Sequence, residues 1–170
     1  MQKNITKERR ITMNKEELIQ LLKEYRENNA KLKLRQKEKI RYEKELGEIQ
    51  MEPNMSAAYE INGDIRSKNQ TSNKVLSSVI KKETREEELK QKIKEVKKEI
   101  RTLKDKVEDV NIRLESLYYK EREILTAYYV DNRSAEEIGR NLYFRLYQRT
   151  CTQDNIYDII KKSTKRMLNL

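Results

Sequence analysis

Adjacent carboxylates at Glu136 and Glu137, one thiol at Cys151 and the cations Lys161, Lys162, Lys165 and Arg166 offer most of the chemistry in this chain. Paired carboxylates can do general acid–base work when both converge on one pocket. Neighbours on a helix point in different directions, and a place in a first helical turn, beside the positive end of the dipole, accounts for both. Histidine is absent and a single cysteine remains, so ordinary zinc spacing is out of reach, and there is no glycine-rich phosphate loop. Catalysis therefore lacks convergent groups, and we expect no enzyme, no metal and no cofactor. The cations suit a different chemistry, attraction to phosphates, although lysines at a helix end also serve simply to offset the dipole.

The elements that must position these residues follow from composition. The 170 residues are 40% charged and 35% hydrophobic, with three glycines, one proline and no tryptophan. Such a profile belongs to long helices buried along stripes rather than to a large spherical core. The formal net charge is +10, which favours nucleic acid or an anionic surface as partner. No secretory apolar segment opens the chain and no apolar run is long enough to span a membrane, so a cytoplasmic protein without membrane contact is expected.

The longest signal is a seam. Leu89, Ile93, Val96, Ile100, Leu103, Val107, Val110, Leu114 and Leu117 alternate steps of four and three without a glycine or proline between them, the pattern of a coiled coil. Leu18, Leu22, Tyr25, Asn29 and Leu32 begin a second such stripe, which weakens near Gln36 and resumes at Tyr42, Leu46 and Ile49. Asn14 with Glu17 three residues on forms a capping box for this first helix. Pro53, Gly63 and a polar surround place a loop near 51–73, with a second helix starting at Ser72 or Asn73. The expected organisation is thus a flexible basic arm or extension over 1–13 and a long antiparallel coiled-coil hairpin over 14–117. The first helix is expected to cover the second only to about residue 105. That leaves Val107 to Leu117 for the C-terminal region or for a second copy of the chain, so a homodimer through the coiled coil stays open.

Residues 118–170 hold seven of the ten tyrosines, enough aromatic payload for a small core. Three helical pieces are expected. The first runs from Glu121 to Val130. The second is capped by Ser134, with Glu137 at the third position after it. The third is capped by Thr152, with Ile156, Ile159 or Ile160, and Met167 inward. Three short helices in this order make a small C-terminal helix-turn-helix domain the natural candidate in an all-α chain.

Glu121-Arg122-Glu123-Ile124-Leu125, then Ser134-Ala135-Glu136-Glu137-Ile138-Gly139-Arg140-Asn141-Leu142, then Thr152-Gln153-Asp154-Asn155-Ile156-Tyr157 resemble region 4 of sigma-70-type transcription factors. The order of hairpin then head resembles the small sigma-like regulators carried by phages and prophages of low-GC Gram-positive bacteria. The match covers about 50 residues, and nine residues, Tyr143 to Cys151, intervene where the family has two or three. A longer second helix or a packed loop would absorb them.

The resemblance implies that Gln153, Asn155, Tyr157 and Asp158 face the major groove, where Asn and Gln pair with adenine and Asp accepts from cytosine. It further implies phosphate contacts by Thr152, Lys161, Lys162 and Lys165, with Arg145 and Arg149, four apart, as additional candidates. Ten basic side chains against seven acidic ones over 118–170 make the head itself only mildly basic. The expected function is a sequence-specific DNA-binding transcription regulator, with double-stranded DNA and RNA polymerase as partners. It would lack promoter-melting activity, because nothing in 1–117 resembles a melting domain. The alternatives are a structural adaptor with a degenerate helix-turn-helix and a DNA-segregation factor.

Overall fold

The structure is a computed structural model that describes residues 13–51 and 68–170, with side chains for 13–51 and 77–170. The expected arm over 1–12, together with Pro53 and Gly63, lies outside these residues. Among the described residues every regular element is helical, so the all-α expectation holds. None of these helices is long and apolar enough to cross a membrane.

Helix α1 spans Lys15–Met51 and α2 spans Lys68–Glu115. The capping box forms as expected: Asn14 Oδ1 accepts from the Glu17 amide at 2.8 Å, and Glu17 Oε2 accepts from the Asn14 amide at 3.0 Å. Ahead of it, Met13 is half-buried against the core rather than part of a flexible arm. The loop expected to last until residue 73 is a correction as well, because α2 is already helical from Lys68. Polar residues set that expectation, but the stretch after Gly63 holds no proline or glycine to stop a helix.

The C-terminal helices follow. Helix α3, Tyr119–Leu125, runs into a π-helical turn over Thr126–Val130. Helix α4, Ala135–Glu137, continues through a π turn over Ile138–Leu142 into α5, Tyr143–Tyr147. Helix α6 spans Gln153–Leu168.

The chain forms two compact units, one whose described part is 13–29 with 105–170, and one built from 30–104. In the first, Leu18 and Leu22 of α1 share one core with Val110 and Leu114 of α2 and with Ile124, Ile138, Ile156 and Met167 of the C-terminal helices. Full burial of such side chains is worth about 1.5–3 kcal/mol each. The end of the seam is therefore covered from two sides, by α1 and by the C-terminal helices. The expected limit near residue 105 does not hold, because α1 reaches further: Tyr25 Oη donates to Asn111 Oδ1 at 2.7 Å. The asparagine buried on α1 is Asn28, at 7% exposure, whereas Asn29 is half-buried.

In the second unit, Leu32 and Ile49 of α1 and Leu89, Ile93 and Val96 of α2 are buried, while Ile100 and Leu103 are half-buried. Arg35 pairs with Glu99 at 2.7 Å, Glu43 with Lys97 at 3.3 Å and Glu45 with Arg85 at 2.9 Å. Rising numbers on α1 meet falling numbers on α2, so the segments run antiparallel. Exposed ion pairs contribute at most about 1 kcal/mol each, which leaves apolar burial as the main attraction.

Candidate nucleic-acid interface

Helix α6 is sorted into two faces by its sequence. Ile156, Ile160, Ser163 and Met167 recur at steps of four and three and are buried, with Thr164 buried beside Ser163. The residues between them, Gln153, Asn155, Asp158, Lys161, Lys162 and Lys165, are exposed. Tyr157 is 42% exposed, its ring edge-on to Tyr128 with centroids 6.1 Å apart. Gln153 Nε2 donates to Tyr157 Oη at 3.0 Å, joining the first two turns of the outward face. The expected base-reading and phosphate-binding residues of α6 are thus all exposed, spread around its solvent side from Gln153 and Tyr157 to Asn155.

Two devices aim this helix. At its start, Thr152 Oγ1 accepts from the Asn155 amide at 3.5 Å, in the expected capping position. At its end, Arg113 of α2 donates through Nη1 to the Met167 carbonyl at 2.7 Å while its Nε holds Asp109 at 3.0 Å. Arg166 does not belong to the open cationic surface. It pairs with Glu121 at 2.5 Å and lies over the Tyr118 ring.

The preceding helix is placed as tightly. Ser134 Oγ accepts from the Glu137 amide at 3.1 Å, which leaves Glu136 and Glu137 in the first turn as expected, with Glu136 bonded to Arg140. The turn before it closes through Asn132 at φ 55°, with the Arg133 amide donating to Ala127 O at 3.0 Å. Asparagine tolerates this left-handed position.

The nine intervening residues are absorbed mostly by a longer second helix. It extends to Tyr147 and stops where Gln148 adopts φ 58° and donates its amide to Phe144 O at 2.8 Å. Tyr143 is buried, Leu146 and Tyr147 are half-buried, and the Tyr143 and Tyr147 rings stack 4.3 Å apart. Arg145 and Arg149 are exposed, the latter 3.5 Å from the Tyr143 hydroxyl.

Burial and the neighbouring Tyr157 push the Tyr128 phenol above the usual tyrosine range. Burial likewise raises Tyr129, Tyr147 and the Cys151 thiol, which argues against a reactive thiolate.

Sequence reasoning missed a cleft beside the start of α6, lined by Lys23, Tyr128, Asn132, Arg133, Gln153 and Tyr157. It adds two cations to the surface. Lys23 sits on α1, more than a hundred residues from α6, and no local spacing could have pointed to it. No family model matches this chain, and no match to a curated protein or to a solved structure was found.

Proposed function

We propose that the protein is a sequence-specific DNA-binding transcription regulator of the phage type, acting on or with RNA polymerase and without promoter-melting activity of its own. In this reading the antiparallel helices form a coiled-coil hairpin, and α3 to α6 form a small helix-turn-helix domain like region 4 of sigma-70-type factors. The observation that carries it is the division of α6. Gln153, Asn155 and Asp158 are open on a helix whose other side is sealed by Ile156, Ile160 and Met167. Side chains with paired donors and acceptors on such a face can read base edges, and Lys161, Lys162 and Lys165 beside them can hold phosphates.

The test is a mobility-shift titration of the full chain with sheared genomic DNA across a salt series, followed by genome-wide mapping of bound sites. Salt-sensitive retention and enrichment at promoters support the reading. Absence of binding at low salt overturns it, and enrichment at clustered repeats away from promoters points to segregation instead.

A further inference from the structure

On α2, Lys90, Lys94, Lys97, Arg101 and Lys104 follow one another at steps of four, three, four and three. This is the rhythm of the apolar seam displaced by one residue, so the five cations form a continuous line along one flank of the helix. All five are exposed. At roughly 1.5 Å rise per residue the line carries five charges in about 21 Å.

The opposite flank, Glu88, Lys92, Glu95, Glu99, Thr102 and Lys106, mixes signs. Three acids near the cationic line are engaged, Glu43 with Lys97 and Lys39, Glu86 with Lys90, and Glu95 with Gln91, while Glu87, Asp105 and Glu108 are exposed at its two ends. Lys94, Arg101 and Lys104 have no ion-pair partner among the described residues.

We infer that this flank of α2 binds the phosphate backbone of double-stranded DNA without regard to sequence, as a contact separate from α6. A straight row of cations suits a linear polyanion, and neutralised phosphates are the sequence-independent part of DNA affinity. An anionic membrane is a poorer fit, since an interfacial helix needs an apolar face and that of α2 is occupied by its seam. The choice of DNA among linear polyanions rests on the reading of α6; the existence of the cationic flank does not.

Two variants of the full chain with equal charge loss test this: Lys94→Gln with Arg101→Gln, and Lys92→Gln with Lys106→Gln. Glutamine keeps helix propensity at these exposed positions, and circular dichroism checks the fold. The readout is the slope of log affinity against log salt for a 30-bp duplex of random sequence. The first pair is expected to reduce the slope by about 1.8, at roughly 0.9 per lost phosphate contact, and the second to leave it unchanged. Equal slopes for both variants overturn the inference, as does depletion of the wild-type chain by phosphatidylglycerol vesicles with none by the duplex. Failure of the α6 reading looks different: sequence preference is missing from the wild type while the two variants still differ in slope.

Discussion

The carbonyl oxygen of Cys151 lies 2.6 Å from the point where a Cβ on Gly139 would stand, and the Cys151 amide donates back to the Gly139 carbonyl at 3.4 Å. Gly139 has ordinary helical backbone, so its value is the close approach alone. It lets the lead-in to α6 lie against the preceding helix. A methyl group there meets backbone, which cannot swing aside. Gly139→Ala should therefore destabilise the fold by about 1–3 kcal/mol, as overpacking does elsewhere, read as a lower midpoint in urea unfolding.

Tyr25 and Asn111 set the register of α1 on α2 in the first unit. Tyr25→Phe keeps the ring and strands a half-buried acceptor, at a cost of about 1 kcal/mol. Chemical unfolding followed by circular dichroism checks this; an unchanged midpoint would mean that apolar burial alone fixes the register.

Ser163 is buried and its hydroxyl lacks a hydrogen-bond partner among the described residues, whereas the neighbouring Thr164 hydroxyl bonds the Ile160 carbonyl at 2.8 Å. Removing an unsatisfied buried group recovers desolvation cost. Ser163→Ala is expected to raise stability by up to about 1 kcal/mol, while Thr164→Ala lowers it. A pair of thermal melts distinguishes the two.

If α6 reads DNA, its residues divide by role. Lys161→Ala with Lys162→Ala should weaken binding to all sequences alike and reduce the salt slope by about 1.8. Asn155→Ala should instead relax base preference with little change in that slope. Competition binding against randomised duplexes separates these outcomes, and parental behaviour in both variants would refute the assignment.

Tyr128, Tyr129 and Tyr147 keep their protons longer in the fold than in the unfolded chain, because burial disfavours the phenolate. Their contribution is full below the unfolded tyrosine value of about 10 and declines as pH rises through the folded values. Tyrosinate absorbance should show a late-titrating class, and unfolding midpoints should fall above about pH 10. Replacing Tyr128 with Phe should shrink that class.

Local chemistry was legible in the chain and long-range register was not. The caps at Asn14, Ser134 and Thr152 each depend on residues within one turn, and all three form where expected. The inner face of α6 was equally plain from Ile156 and Met167. By contrast, the reach of α1 along α2 depends on partners such as Tyr25 and Asn111, 86 residues apart. The path of the intervening residues turned on a left-handed Gln148, a conformation that glutamine seldom signals.

Arg113 grips the Met167 carbonyl from 54 positions earlier in the chain. The far end of α6 is thus held by a residue of α2. Anyone transplanting the C-terminal helices onto a different scaffold would have to carry along about three turns of α2 from Asp105. A graft cut at Leu117 would lose the Arg113 grip and leave the end of the helix held by the C-terminal helices alone, through Glu121 and the core around Ile124.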